Sequence, residues 1–266
     1  MKRSVFILAV LFLSATKIFS QDILTFNKPY IPYPDTVLIF TPDNYNNGKN
    51  DYPLVFLLHG WSGNYTQWNT LINLKEYANK YGFVIVCPDG FYDSWYTDNL
   101  MRKNYQFEKF FWNDLIPEIL FTYRIDIKNI FISGLSMGGH GALTLFFKNP
   151  YFFKSAGSTS GILNLTKFPG KWNLNLAYGN WTNNKKNWLE NSAVYLVKNI
   201  KDLNKQIIVD CGSEDFAFNV NREFFDKCKA LNIKIKFITR PGTHSAGYWR
   251  KSIKQHFDFF KKIYGK

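Results

Sequence analysis

The chain has 266 residues and 46% of them are hydrophobic, which excludes a disordered protein and allows a sizeable core. The formal net charge is +13, but no block of five or six like charges occurs, so we expect no nucleic-acid partner. Three cysteines exclude a scaffold built from disulfides, although an exported protein could hold one bridge.

The first twenty residues have the layout of a cleavable signal peptide. Lys2 and Arg3 precede a short apolar stretch, and a polar region ends at the small residue Ser20. The alternative is an uncleaved anchor, but the apolar stretch is short for a membrane span. We therefore predict that residues 1–20 are removed and that residues 21–266 form a single catalytic domain. That domain would be secreted or periplasmic, with no stable membrane insertion after cleavage.

Hydrophobic patterning predicts strands and helices that alternate along most of the chain. Strands are expected at 36–42, 54–59, 83–88, 128–134, 155–161, 206–212 and 233–239. Helices are expected at 67–80, 104–123, 137–149, 187–200, 219–231 and 247–264, with a kink or break at Pro117. Residues 162–185 are loop-like and are the best candidate for a cap-like insertion. The alternation predicts an α/β fold with a mostly parallel sheet and helices on both faces.

The strongest chemical signal is the run GLSMGG at residues 134–139, which matches the pattern G-x-S-x-G. A predicted strand precedes Ser136 and a predicted helix follows it, as a strand-to-helix turn that exposes a nucleophile requires. Side chains at Gly134 and Gly138 would collide with the neighbouring strand and helix. The alternative is a glycine-rich helix start that only packs closely, but the flanking elements favour a nucleophilic serine at position 136.

A serine hydroxyl needs a general base within hydrogen-bond reach. His244 lies in the loop after the strand 233–239, at the sheet edge where ligands bind in open α/β folds. His256 lies inside the last helix and reads as a surface or packing residue, whereas His140 points away from the turn. We therefore predict that His244 is the base.

The base needs a third group that orients it, and the chain order in such enzymes is serine, acid, histidine. Asp215 lies in the loop beyond the strand 206–212, where it could reach back to the imidazole, and Glu214 is the second choice. Asp210 is still within the strand, so its side chain faces a surface of the sheet. We predict that Asp215 is the acid.

The oxyanion of a tetrahedral intermediate needs two backbone N–H donors. Met137, directly after the serine, would supply one of them. The second is expected from Trp61, in the run LLHGWSG that follows the strand 54–59. His59 in the same run is predicted to be a buried support for this loop rather than a second base.

Taken together, these motifs resemble the esterase family that includes tributyrin esterases, S-formylglutathione hydrolases, feruloyl esterases and the antigen 85 mycolyltransferases. The matching pieces occur in the family's order and are LLHGWSGNYTQW (57–68), PDGFYDSWYTD (88–98), GLSMGGHGAL (134–143), CGSEDF (211–216) and PGTHSAGYW (241–249). The resemblance implies the α/β-hydrolase fold, a Ser136–His244–Asp215 triad, and Trp61 and Met137 as oxyanion donors. It implicates Trp95 and Tyr96 more weakly in an acyl or leaving-group pocket. Residues 21–53 depart from the family's opening strands.

The family's strand order, 1-2-4-3-5-6-7-8, bears on the cysteines. Cys87 and Cys211 would lie four strand steps apart, about 19 Å, which is beyond disulfide reach. Cys211 and Cys228 would lie on a strand and its following helix and could pair. We therefore expect at most one bridge, Cys211–Cys228, with Cys87 buried and free.

The sequence predicts a serine carboxylesterase that forms an acyl-enzyme and needs no metal or cofactor. Its substrate would be a small-molecule or polysaccharide-linked ester, and acetyl or feruloyl esters of carbohydrates are the expected class. The alternatives are an acyltransferase that uses the same triad and a catalytically silent carbohydrate-binding homologue. The sequence gives no indication of the oligomeric state.

Overall fold

A computed structural model describes residues 21–47 and 49–264. The predicted signal peptide at residues 1–20 lies outside the described residues. Within them, no helix has both the length and the apolar character needed to cross a bilayer.

The fold is built on one eight-stranded sheet with the order β1-β2-β4-β3-β5-β6-β7-β8. The strands are β1 (Asp22–Phe26), β2 (Asp35–Phe40), β3 (Tyr52–Leu58), β4 (Val84–Pro88), β5 (Ile125–Gly134), β6 (Ser155–Thr159), β7 (Gln206–Gly212) and β8 (Lys234–Arg240). β1 and β2 pair antiparallel with their neighbours, whereas β4, β3, β5, β6, β7 and β8 are parallel. The mostly parallel sheet and its strand order agree with the prediction. The edge strand β1 lies in segment 21–34, for which the sequence predicted no strand.

Helices cover the sheet between the strands. They are α1 (Gln67–Leu71), α2 (Leu74–Tyr81), α3 (Phe107–Phe110), α4 (Ile116–Thr122), α5 (Met137–Lys148), α6 (Leu174–Tyr178), α7 (Lys185–Glu190), α8 (Ala193–Leu196), α9 (Phe218–Ala230) and α10 (Ala246–Tyr264). Short 3-10 turns occur at Asp43–Asn47, Leu165–Lys167 and Val197–Ile200, and a π-helical turn occurs at Phe111–Leu115.

Three predicted helices differ from the observed ones. The helix at 67–80 is split because Asn73 caps α2 by accepting a hydrogen bond from the backbone N–H of Glu76. The helix at 104–123 starts at residue 107 and passes Pro117 without a break. The π-helical turn Phe111–Leu115 comes just before this proline. Its wider hydrogen-bond spacing accommodates the N–H that the proline ring lacks. The helix at 187–200 is interrupted between α7 and α8.

The core lies on both faces of the sheet, as parallel strands require. Within β5, Ile132 packs on the face covered by α5, and Phe131 packs on the opposite face, covered by α10. Every residue of α5 from Met137 to Phe147 is buried. The helix that follows Ser136 is therefore held rigidly in the centre of the protein.

The predicted Cys211–Cys228 disulfide is wrong, because all three cysteines are free and buried. Cys211 lies at the carboxyl end of β7. Cys228 lies ten residues along α9, which returns toward the amino ends of the strands, so the helix carries it about 15 Å away. Cys87 is free, as expected, and burial raises the pKa of its thiol well above the usual range.

Candidate active site

Ser136 occupies a sharp turn between β5 and α5. Its backbone has φ 54° and ψ −116°, a combination that costs on the order of 1–3 kcal/mol for a residue with a side chain. The flanking glycines make this turn possible. A Cβ atom on Gly134 would lie 2.2 Å from the carbonyl oxygen of Gly138, and one on Gly138 would lie 2.3 Å from that of Leu58. The turn therefore needs glycine at both positions and pushes the serine side chain out of the sheet.

The structure brings Ser136, His244 and Asp215 together at the carboxyl edge of the sheet. The Oγ of Ser136 lies 2.9 Å from Nε2 of His244. The Nδ1 of His244 lies 3.0 Å from both carboxylate oxygens of Asp215. These three residues follow β5, β8 and β7, whose parallel carboxyl ends meet at one edge.

Hydrogen bonds around Asp215 define the direction of proton donation. The backbone N–H of Ala217 donates to Oδ1 of Asp215 at 2.8 Å, and the carboxylate has no proton of its own to give. The Nδ1 of His244 therefore donates to Asp215, which leaves Nε2 free to accept the hydroxyl proton of Ser136. Glu214, the second candidate acid, is exposed and makes no hydrogen bond to His244 in the described part of the chain.

Two backbone N–H groups near Ser136 are unengaged. On either side of Trp61, the N–H of Gly60 donates to the Gln67 side chain at 2.7 Å and that of Ser62 to the Tyr92 carbonyl at 2.8 Å. The N–H groups of Trp61 and of Met137 have no acceptor among the residues that the structure describes. Both predicted oxyanion donors are thus available.

His59 and Tyr96 support this region from beneath. Nε2 of His59 accepts from the backbone N–H of Gly90 at 2.7 Å, and Nδ1 lies 2.8 Å from the Gly60 carbonyl. The Tyr96 hydroxyl donates to the His59 carbonyl at 2.9 Å. Tyr96 is fully buried, with Gly141 packed against its ring, and is absent from the cavity wall. Tyr96 therefore supports the loop of His59 and does not line the cavity beside Ser136.

A cavity of about 180 Å³ opens beside Ser136 and is lined mainly by apolar and aromatic side chains. Trp95 lines it, as the resemblance implied, and its indole N–H donates to the Trp172 carbonyl at 3.0 Å. Trp172 belongs to the cap-like segment 162–185, which therefore contributes to the wall. The lining residues are Gly60, Trp61, Gln67, Trp95, Leu135, Ser136, Ile162, Trp172, Phe216, His244 and Trp249.

Two aromatic rings that the sequence did not single out pack against His244. The Phe216 ring lies 4.4 Å from the imidazole at an angle of 39°, and the Trp249 ring meets it edge-on at 5.1 Å. Phe216 is 51% exposed and also contacts Trp172 at 5.6 Å. Their sequence positions could have identified them, because Phe216 directly follows Asp215 and Trp249 ends the motif that contains His244.

Of the surface and packing roles predicted for His256, the structure supports packing. His256 is fully buried, with Nδ1 2.8 Å from Oγ of Ser133 and Nε2 2.7 Å from Oδ2 of Asp210. Burial opposes the charge of Asp210, but hydrogen bonds from His256, Ser252 and Thr159 outweigh it and lower the pKa of this carboxyl. This second serine–histidine–aspartate set is sealed inside the protein, so no substrate reaches it.

His140 is also buried, and burial lowers its pKa to about 3. Its Nε2 lies 2.9 Å from the Asn191 carbonyl and donates to it. His140 is therefore a neutral structural residue, and His244 is the one histidine within the described residues whose side chain hydrogen-bonds the Ser136 hydroxyl.

The fold and this site define an α/β hydrolase of the serine type, and comparisons with known proteins define the family. The family model described as "Putative esterase" matches residues 30–260, so the chain belongs to that family. An acetyl esterase of Caldicellulosiruptor saccharolyticus is 28% identical over 223 residues, covering 79% of this chain and 83% of that protein. An S-formylglutathione hydrolase of Bos taurus is 23% identical over 235 residues, covering 79% and 82%.

Solved structures agree on the fold. A ferulic acid esterase has a TM-score of 0.78 at 22% identity and covers 92% of this chain and 99% of its own. A fluorophosphonate-binding serine hydrolase of Staphylococcus aureus has a TM-score of 0.78 at 19% identity, covering 91% and 98%. The predicted family membership and α/β-hydrolase fold are confirmed, and the chain is an enzyme of the esterase class.

Proposed function

We propose that this protein is an exported serine esterase that removes small acyl groups, acetyl above all, from carbohydrates. The observation that carries the proposal is the continuous hydrogen-bond chain from Asp215 through His244 to Ser136. It lies beside two unengaged backbone N–H groups, those of Trp61 and Met137.

The first half of the reaction forms an acyl-enzyme. Nε2 of His244 takes the hydroxyl proton of Ser136 while Oγ bonds to the ester carbonyl carbon. The carbonyl oxygen becomes an oxyanion, which the N–H groups of Trp61 and Met137 stabilise. Asp215 holds the imidazole in place and stabilises its positive charge. His244 then gives the proton to the alcohol oxygen, the carbon–oxygen bond breaks, and the alcohol leaves.

The second half repeats these steps with water. His244 takes a proton from the water while the water oxygen attacks the acyl carbon. The proton then passes to Oγ of Ser136, which releases the carboxylic acid and restores the hydroxyl.

The size of the cavity supports a small acyl group. Its volume of about 180 Å³ is below the roughly 300–1,000 Å³ of pockets that enclose drug-sized ligands. The Trp95 and Trp172 side chains close one wall, and the Trp95 indole N–H donates to the backbone carbonyl of Trp172. An acetyl group fits within such a space. The acetyl esterase relative supports the same choice.

The aromatic rings near His244 support a sugar as the alcohol. Because His244 protonates the leaving oxygen, the alcohol must lie beside its imidazole, where Phe216 and Trp249 pack. Phe216 is half exposed and adjoins Trp172, so an aromatic surface continues outward from the reacting atoms. The C–H face of a pyranose packs well on such rings.

Export rests on the predicted signal peptide. If residues 1–20 are removed, the protein found outside the cytoplasm begins at Gln21. Fractionation of cells followed by amino-terminal sequencing measures this directly. A mature protein that still begins at Met1 and stays in the cytoplasm would contradict this part of the proposal.

A substrate panel on residues 21–266 tests the activity and the acyl preference. We expect p-nitrophenyl acetate to be cleaved faster than the butyrate, acetylated xylan to release acetate, and methyl ferulate to be the poorest substrate. Ser136→Ala, purified in parallel, should lose all of these activities. Faster release of ferulate than of acetate would refute the acyl assignment, and equal rates for the two proteins would refute the nucleophile.

A further inference from the structure

A second open groove, of about 680 Å³, lies at the end of the sheet opposite the candidate active site. Lys154 precedes β6, Lys205 precedes β7, Lys236 lies on β8 and Lys262 lies near the end of α10. We refer to the space between these four lysines as the basic groove. Its elements meet at the amino ends of β6 and β7, whereas Ser136, Asp215 and His244 follow the carboxyl ends of their strands.

The positive charge of the basic groove is unbalanced. Asp258 is the one carboxylate in its wall, and it is already engaged by Lys254 at 2.7 Å and by the Tyr81 hydroxyl at 2.8 Å. Among the described residues, no carboxylate forms an ion pair with any of the four groove lysines. An anion entering the groove therefore meets cations that are paired with no carboxylate among the described residues.

Lys205 shows that these cations are crowded. Its Nζ donates to the Phe153 carbonyl at 2.7 Å, and its side chain is half-buried. Burial, and then the neighbouring charge of Lys154, lower the pKa of Lys205. A bound anion would relieve both effects, because it replaces lost hydration and offsets the repulsion between the two ammonium groups.

Ordinary structural roles account for only part of this cluster. Lys262 lies in the last turn of α10, where a cation complements the helix dipole. Lys236 lies on the edge strand β8, where a charge discourages pairing with another chain. Neither role explains why Lys154 and Lys205, from two other strand starts, converge on the same space.

We propose that the basic groove binds an acidic polysaccharide, a chain of sugars that carry carboxylate groups. The four lysine ammonium groups act as point charges that attract the carboxylates of such a chain. The side-chain amides of Asn204 and Gln206 offer partners for sugar hydroxyls, and the ring of Phe259 offers an apolar face. A single ring is fewer than the successive stacking platforms of single-stranded nucleic-acid sites.

Such a site would hold the polymer while the catalytic edge works on another part of it. The seven residues of β7 span about 23 Å between the two ends of the sheet, a distance that several linked sugars cover. Binding at the groove would raise the effective concentration of ester groups that hang from the same polymer. The binding itself does not depend on the proposed reaction and can be measured without it.

The test measures binding of residues 21–266 carrying Ser136→Ala to polygalacturonate, at low and at high salt. The variant Lys236→Glu/Lys262→Glu reverses two groove charges. Both lysines are exposed, so we expect the variant to fold. The matched control Lys103→Glu/Lys185→Glu makes the same change in net charge at two exposed lysines outside the groove. Dextran and single-stranded DNA serve as the neutral and nucleic-acid comparisons.

We expect salt-sensitive binding to polygalacturonate that weakens at least about ten-fold in the groove variant and stays within about two-fold in the control. Dextran should not bind. The proposal is overturned if residues 21–266 carrying Ser136→Ala do not bind polygalacturonate, or if both double variants weaken equally, because net charge alone would then explain the result. It is also overturned if DNA binds more tightly with the same sensitivity to the groove variant. If residues 21–266 with Ser136 intact bind polygalacturonate but hydrolyse no ester, the result contradicts the proposed function and leaves the groove proposal standing.

Discussion

Replacing Asp215 by Asn tests whether Nδ1 of His244 donates its hydrogen bond to the side chain at position 215. The Ala217 N–H needs an acceptor, so the asparagine oxygen keeps that bond and the amide nitrogen turns toward Nδ1 of His244. Nδ1 must then accept a hydrogen bond, and the imidazole proton moves to Nε2. With a proton on Nε2, His244 cannot accept the hydroxyl proton of Ser136.

The size of the loss follows from this change of tautomer. The same substitution in a serine protease triad lowers kcat about 10⁴-fold, and each factor of ten is about 1.36 kcal/mol of barrier. We therefore expect Asp215→Asn to raise the barrier by about 5 kcal/mol. The geometry changes little, so KM and the free energy of unfolding should stay close to their wild-type values.

The assay is hydrolysis of p-nitrophenyl acetate under saturating conditions, with thermal unfolding measured on the same samples. Glu214→Gln is the matched control, because it neutralises the adjacent, exposed carboxylate that the sequence offered as the second choice. The control should retain wild-type activity. If Asp215→Asn keeps more than about a tenth of wild-type kcat, or if Glu214→Gln shows the larger loss, the reasoning from tautomer to rate is wrong.

Three further predictions concern the turn, the sealed histidine and the thiols. Gly138→Ala should abolish activity, because its Cβ would lie 2.3 Å from a backbone oxygen, whereas Gly247→Ala, with open space around it, should be silent in the same assay. His256→Leu should lower the free energy of unfolding at pH 7 by about 3–5 kcal/mol in urea titrations, because it strands the buried carboxylate of Asp210. Since the folded pKa of Asp210 is lowered, the wild-type protein keeps this contribution to stability above the usual carboxyl pKa of about 3.9. It loses the contribution as the pH falls through the folded pKa. A loss of less than about 1 kcal/mol in His256→Leu at pH 7 would contradict this account. Unreduced, unfolded protein should titrate three free thiols, and a count of one would restore the disulfide.

Much of the fold was predictable from the sequence because its strands are short apolar runs between turn signals. The bounds of β7 match the prediction, those of β4 and α5 differ by one residue at one end, and those of β8 and α9 differ by one residue at each end. The amino-terminal strand β1 was missed because it has only five residues and none of them is buried, so its apolar pattern is weak. Helix interruptions were missed where a local cap such as Asn73 outweighs the hydrophobic period.

The positions of Ser136, His244 and Asp215 were predictable because the chemistry restricts each to one strand end. What the sequence could not supply were contacts between distant segments. The packing of Phe216 and Trp249 on His244, the burial of Tyr96 and the pairing of His256 with Asp210 all depend on how helices lie on the sheet. The cysteine prediction failed for the same reason, because proximity of a strand and its helix does not fix which ends meet.

The central claim is that Ser136 is the nucleophile, and covalent labelling tests it most directly. A fluorophosphonate probe should attach to residues 21–266 at one site, and mass spectrometry of the digested protein should place it on Ser136. Ser136→Ala should take up no label, while its thermal unfolding stays unchanged. A label on another residue, or labelling that persists in Ser136→Ala, would contradict the account.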